Sequence, residues 1–285
     1  MTIHEAALQL RFQLFHLYDE REAGNIAELV MEHITGWQKI DRVVNKTAVL
    51  SGQQAQLLQS FTDELQTHKP LQYVLQEAWF YGMRLYVDEN VLIPRPETEE
   101  LVDWLIKEAR KSAPPVRSVL DIGTGSGCIP LAIKKNLPAV EMYSCDISEG
   151  ALQVAKRNAA THNLDIHFHA LNILVEQDRN QLPLFDAIIS NPPYIPVAEK
   201  AAMAANVLAF EPSLALFVPD DQPLLFYSAI AEFALAHLAA SGIIYLEIHE
   251  ALGAAVVALL KEKGFSGITI RKDLQGRDRM IQVRR

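Results

Sequence analysis

Cysteine is nearly absent. Cys128 and Cys145 are the only two in 285 residues, and they sit in separate apolar contexts without a C-x-x-C spacing. A disulfide framework and a cysteine-based zinc site are thereby excluded, and a reducing cytoplasm is the compartment such usage suits. Long hydrophobic runs are missing too: charged residues interrupt every apolar stretch before it reaches the length of a signal or a membrane span. A soluble, unprocessed chain is expected. Positive charge is also in short supply, with 26 Lys and Arg against 35 Asp and Glu and a formal charge of −9. That is the wrong sign for a protein whose affinity rests on neutralising phosphates, so no stable nucleic-acid partner is expected. Repeats and low-complexity tracts are lacking as well. What remains is ordinary globular material, 49% hydrophobic, enough for one large domain or a domain with a smaller companion.

From residue 3 to about 67 apolar residues recur at helical spacing, as Leu8, Phe12 and Phe15, then Ala27, Val30, Met31 and Ile34, then Leu57, Leu58, Phe61 and Leu65. Three or four short helices follow from this, punctuated by Gly24, Gly36 and Ser51-Gly52, and residues 1–75 read as a small helical N-terminal domain. The aromatic and branched residues of 77–93 predict a β-hairpin, which makes 76–95 a structured linker. Pro94 and Pro96 lead into a helix over about 97–111, with acidic residues in its first turn. Beyond Pro114-Pro115 strands alternate with helices: strands over 118–122, 141–145, 166–171, 185–190 and 242–248, helices over 128–135, 150–162, 224–240 and 250–263. Two closing strands, 268–272 and 280–283, form a hairpin. The fold class is therefore α/β over 96–285: a doubly wound, mostly parallel sheet covered on both faces, with an antiparallel edge hairpin.

Two stretches carry chemistry. In "VLDIGTGSGCIPLAI" (119–133) the glycines at 123, 125 and 127 fall between a strand and a helix. Glycine tolerates positive φ and lets a ligand approach the backbone. A bare βα turn is one reading and a dinucleotide site another, but the dinucleotide fingerprint wants glycine at the sixth loop position, where Cys128 stands. The D-x-G-x-G-x-G pattern is similar to the first motif of class I S-adenosylmethionine-dependent methyltransferases. Gly123, Thr124, Gly125, Ser126 and Gly127 would then wrap the methionine and ribose portion, with Asp121 helping to place the α-ammonium. Asp146, about twenty residues on, is either a ribose-binding carboxylate or a cap for the next helix, although Ser148 is the better N-cap. Asn172 and Ile173 stand where such enzymes hold adenine.

The second stretch is "SNPPYIP" (190–196), closing a buried strand. Prolines alone end strands, because they donate no backbone hydrogen bond. Here they also stiffen the backbone, which makes Asn191 Oδ1 and the Pro192 carbonyl fixed acceptors for the two hydrogens of a planar –NH2 group, with Tyr194 stacking on its flat face. Asn191, Pro192 and Tyr194 are thus the candidate catalytic residues, and Pro193 joins them in binding substrate. No metal is called for, since His167 and His169 share a strand face without a third ligand.

Together "PLQYVLQEAWFYG", "VLIPRPETEELV", "VLDIGTGSGCIPLAI", "FDAIISNPPYIP", "EPSLALF", "LEIHE" and "GRDRMI" resemble the HemK/PrmC family, the peptide chain release factor N5-glutamine methyltransferases. The resemblance implies S-adenosylmethionine as methyl donor and, as acceptor, the glutamine of the GGQ motif in class I release factors. It places the donor loop at Gly123 to Gly127, the ribose acid at Asp146 and acceptor binding at Asn191, Pro192, Pro193 and Tyr194. The N-terminal domain becomes a substrate-recognition domain. Four places depart from the family pattern: Gln76 stands for a usual Gly, Asn172 for a usual Asp, "VPDDQPL" for a glycine-rich loop and His249 for a common Gly. Two other functions stay open, N-methylation of an exocyclic base amine in DNA or RNA, and a donor-binding interaction module without turnover. Arg95 and Glu97 either shape the floor of the site or pair structurally.

Overall fold

The computed structural model describes residues 1–179 and 182–285. By backbone contacts these form two units, Met1–Glu77 with Ala204–Phe210, and Ala78–Met203 with Glu211–Arg285. The first holds α1 (Ile3–Leu14), α2 (Glu20–Thr35), α3 (Lys39–Val44), α4 (Gly52–Leu65) and α5 (Leu71–Leu75). Reciprocal capping boxes, Thr2 with Glu5 and Ser51 with Gln54, satisfy the free amides at the starts of α1 and α4. Gly36, at φ +67°, ends α2. Gly24 lies inside α2 instead of ending a helix. The core gathers Ala6, Leu10 and Leu14 of α1 with Val30, Met31, Phe61 and Leu65. Leu8, Phe12 and Phe15, the expected inner stripe of α1, are the exposed one, Phe12 at 64%. Both stripes have helical spacing, and only packing against α2 and α4 decides between them.

The second unit opens on β1 (Ala78–Phe80) and β2 (Met83–Leu85), joined through Tyr81 and Gly82, both at positive φ, as a two-residue hairpin turn requires. The hairpin is more than a connector: Phe80, Met83 and Leu85 are buried in the same cluster as Leu101 and Leu105 of α6 (Pro96–Ala109). There follow β3 (Ser118–Ile122), α7 (Cys128–Asn136), β4 (Glu141–Asp146), α8 (Glu149–His162), β5 (His167–Ala170), α9 (Glu176–Arg179) and β6 (Phe185–Ser190). After β7 (Ile195–Pro196) comes α10 (Ala205–Phe210), which belongs to the first unit; β8 (Phe217–Val218), α11 (Leu225–His237), β9 (Leu238–Glu247), α12 (Gly253–Glu262), β10 (Ser266–Lys272) and β11 (Asp278–Arg284) complete the chain. Where a helix to residue 240 was expected, Leu238 already begins a strand. Leu238 pairs with Phe185 of β6, and Ala239 and Ala240 follow it into the strand across the register shift before Ile243, against their helical preference.

Seven strands form one sheet in the order β10-β11-β9-β6-β3-β4-β5. Strands β9 through β5 run parallel, and β11 and β10 are antiparallel at the edge. Alternation sorts the side chains: Val119, Ala187, Ile189 and Tyr245 pack beneath α6 and α7, while Leu120, Ile188, Ile244 and Leu246 pack beneath α11 and α12. From β3 the chain winds outward through β4 and β5, then returns to β6 on the other side. That reversal opens a crevice past the carboxyl ends of β3 and β6, where open α/β sheets bind ligands. Among the described residues no helix is long and apolar enough to cross a membrane.

Candidate active site

A cavity of about 390 Å³ occupies that crevice, within the size range of small-molecule sites. Its walls come from the loops after β3, β4, β5 and β6, with Asn90, Val91 and Leu92 from the stretch after the hairpin and Leu214, Ala215 and Phe226 from beyond α10. None of these last six was given a role at the site from the sequence, because they lie outside the loops at the strand ends and only the fold brings them there.

The glycine loop divides into two jobs. Gly123 and Gly125 line the cavity at φ +78° and +52°, and a Cβ on either would meet no protein atom within 4 Å. They leave a cradle for a ligand. Gly127, at φ +81°, is a packing glycine: a Cβ there would lie 2.8 Å from Leu131 Cδ1 and 3.2 Å from Ala155 Cα, between α7 and α8. Four of the loop amides are already occupied. Gly123 and Thr124 donate to the Cys145 carbonyl, Gly125 to Asp146 Oδ2 and Gly127 to the Thr124 carbonyl. With these four N–H groups turned inward, the loop suits a ligand portion without phosphates better than a pyrophosphate, which needs them free. Asn158, 1% exposed, fastens the loop from below by donating to the carbonyls of Ser126 and Tyr86.

Asp121, Thr124 and Ser126 lie beneath this loop and do not line the cavity. Asp121 is fully buried; Oδ2 accepts from the Ser144 hydroxyl at 2.9 Å, and Oδ1 has no hydrogen-bond partner among the described residues. Burial raises its carboxyl to about 7, against the pull of the Thr124 and Ser144 hydroxyls. Asp146 lines the cavity and ties two loops together, Oδ2 accepting from Gly125 N and Oδ1 from Ser148 N, both at 2.9 Å. Each oxygen keeps acceptor capacity for a ligand hydroxyl. Ser148 is the side-chain cap of α8. Asn172 and Ile173 also line the cavity. Asn172 Oδ1 accepts from Leu174 N at 3.0 Å, so its Nδ2 is the group left to donate.

At the end of β6, Asn191, Pro192 and Pro193 line the cavity and Tyr194 does not. The Tyr194 hydroxyl donates to Glu247 Oε1 at 3.1 Å, and its ring packs against the core beneath α11. Burial, then the Glu247 charge, pushes the phenol well above its ordinary value, so it stays a donor. Glu247, 1% exposed, also accepts from Thr98 at 2.6 Å, and Thr98 Oγ1 accepts from Asn191 Nδ2 at 3.1 Å. Burial raises the Glu247 carboxyl, opposed by the Thr98 and Tyr194 hydroxyls and the Arg279 charge. Arg95 pairs structurally: Nη2 reaches both oxygens of buried Glu211 at 2.7 Å, next to cavity-lining Pro212. Glu97 accepts a long bond from exposed Gln275, at 3.4 Å. Among the described residues no cluster of His, Cys, Asp and Glu could hold a metal.

Comparison with known proteins agrees with this arrangement. Residues 98–211 match the family model "Methyltransferase small domain" and residues 6–75 match "PrmC N-terminal domain". A release factor glutamine methyltransferase of Flavobacterium psychrophilum is 42% identical over 284 residues, 99% of each chain. One of Bacteroides thetaiotaomicron is 38% identical over 276 residues, 97% of this chain and 98% of its own. Among solved structures, the hMettl16 catalytic domain, crystallised with an RNA hairpin, covers 82% of this chain and 81% of its own at a TM-score of 0.56 and 17% identity, a likeness of fold alone. A two-part chain matched end to end by such relatives, with a glycine-lined cavity and the NPPY segment at one crevice, belongs to the release factor glutamine methyltransferase family.

Proposed function

We propose that this enzyme moves the methyl group of S-adenosylmethionine to the side-chain nitrogen of the glutamine in the GGQ motif of class I peptide chain release factors. The observation that carries the reading is Asn191. Its Nδ2 is held by Thr98, which leaves Oδ1 to accept, and Asn191 and Pro192 both line the cavity, so Oδ1 and the Pro192 carbonyl serve in this reading as its two fixed acceptors. A planar –NH2 group has two hydrogens for two such oxygens. An amide nitrogen is a poor nucleophile, because its lone pair is delocalised, and holding both hydrogens orients it toward the methyl group. As the C–S bond breaks and the C–N bond forms, the nitrogen gains positive charge and its hydrogens become more acidic. The bonds to Asn191 and Pro192 therefore strengthen in the transition state, and one proton leaves to solvent.

S-adenosylmethionine supplies the electrophilic methyl carbon. Gly123 and Gly125 leave room for it, Asp146 would accept from its ribose hydroxyls, and Ile173 would cover the adenine. Asn172 Nδ2 is suited to adenine N1, an acceptor, and less to the N6 amine. Asp121, Thr124, Ser126 and Gly127 support the loop from behind, and Tyr194 anchors the NPPY segment through Glu247. Residues 1–75 are the substrate-recognition domain, a reading that the exposed Leu8, Phe12 and Phe15 support. The reaction belongs in the cytoplasm, where release factors work.

Incubation with methyl-labelled S-adenosylmethionine and a class I release factor should label the GGQ glutamine, and a Gln→Ala release factor should stay unlabelled, as read by mass spectrometry. Asn191→Ala should lower transfer by about 100-fold or more while donor binding by calorimetry is retained. Label in nucleic acid instead would overturn the acceptor assignment.

A further inference from the structure

Asn191 poses a problem that its hydrogen bonds solve. A carboxamide presents an acceptor on one side and donors on the other, and a half-turn about its last bond exchanges them at almost no change in shape. An acceptor site built on Oδ1 works in only one of the two orientations. We propose that Thr98 and Glu247 are positioning residues that lock the Asn191 carboxamide with Oδ1 toward the cavity, making the site selective for an amide over a carboxylate of the same shape. The inference rests on the acceptor being a side-chain amide, as read above.

As a carboxylate, Glu247 only accepts. Its Oε1 takes the Tyr194 hydroxyl at 3.1 Å and its Oε2 takes the Thr98 hydroxyl at 2.6 Å, in a site where Glu247 and Thr98 are 1% and 3% exposed. A hydroxyl has one proton. With that proton directed at Glu247, Thr98 Oγ1 shows Asn191 only lone pairs, and Nδ2 meets them at 3.1 Å. Turning the carboxamide over would set Oδ1 against those lone pairs, two acceptors face to face. The orientation therefore passes along the chain Glu247, Thr98, Asn191, from the end of β9 through the start of α6 to the end of β6. The cavity then presents Oδ1 and the Pro192 carbonyl, both acceptors. A glutamine –NH2 satisfies both, whereas a glutamate in its place brings oxygens against oxygens and is rejected. A site built to bond N–H groups discriminates strongly against a group lacking them.

The test uses the full chain with Thr98→Val, which keeps the shape and removes the hydroxyl, Thr98→Ser, which restores it, and Glu247→Leu, which removes the acceptor. Two readouts are taken. The first is solvent exchange of the Asn191 carboxamide protons by NMR, assigned by their loss in Asn191→Ala. Wild type and Thr98→Ser should show one proton slowed by about tenfold or more relative to Thr98→Val. The second is binding of a release factor with GGQ against one with GGE. Wild type and Thr98→Ser should prefer glutamine by at least about tenfold, while Thr98→Val and Glu247→Leu lose most of that preference with donor affinity unchanged within about twofold. Unchanged proton exchange and unchanged preference in Thr98→Val would overturn the lock. If wild type methylates no GGQ glutamine, the functional reading falls and the proton exchange alone decides whether Asn191 is held.

Discussion

Asp121 shows how much a single residue shapes this site without touching the cavity. Its carboxyl is raised from 3.8 to about 7 by burial, so the folded chain holds a proton there over a range where the unfolded chain has lost it. The contribution to stability is full below pH 3.8 and disappears progressively as the pH rises to about 7, a loss on the order of 4 kcal/mol. Asp121→Asn carries no such proton. Urea unfolding of the donor-free protein should therefore show wild type losing stability more steeply than Asp121→Asn between pH 4 and pH 7, and parallel curves would refute the buried-acid account. Gln76 is a second residue with a backbone reason behind it: it ends α5 at φ +53°, a conformation that favours glycine, which explains why the family resemblance places a Gly there.

At the scale of elements, the β3–loop–α7 unit makes neighbouring glycines do separable work. Gly125→Ala adds a methyl to open cavity space at φ +52°, so stability should fall by only about 1 kcal/mol while donor affinity drops tenfold or more (on the order of 1.4 kcal/mol). Gly127→Ala places the methyl 3.2 Å from the Ala155 backbone at φ +81°, and unfolding midpoints should report a loss of about 3 kcal/mol as α7 and α8 are forced apart. Equal stability losses in the two variants would refute the division. This unit was legible in the sequence because its residues are consecutive and their periodicity switches at the glycines. Asn191 was legible for the same reason, sitting between a strand and two prolines. Its partners were not: Thr98 lies 93 residues away and Glu247 a further 149 from Thr98, joined only by the winding of the sheet. Tyr194 was placed at the cavity because tyrosines stack, yet its hydroxyl follows Glu247 instead. The inner face of α1 was misassigned because two stripes share one periodicity, and the start of β9 because Leu238 pairs with Phe185 of β6, a long-range contact that local helical preference does not announce.

At the scale of the whole molecule, the sequence order and the cooperative units do not coincide. Residues 1–77 have their own buried cluster around Leu10, Leu14, Met31 and Leu65, and Ala204–Phe210 belongs by contacts to that unit although it lies between NPPY and the cavity-lining Pro212. Every residue lining the cavity lies in the other unit. A ligand stabilises the structure it binds, by about 2.7 kcal/mol at a hundredfold excess over its dissociation constant, and local opening follows the unit to which a segment belongs. Saturating S-adenosylmethionine should therefore slow hydrogen exchange in the loops after β3, β4 and β6, around Gly125, Asp146 and Asn191, and leave α10 exchanging as α2 and α4 do. Exchange in 204–210 that slows in step with 190–196 would show that the donor is felt along the chain rather than through the unit. The expected pattern would instead mark α10 as part of the recognition unit: the segment following the acceptor site then answers to whatever binds residues 1–75, and donor binding and protein binding report on separate parts of one chain.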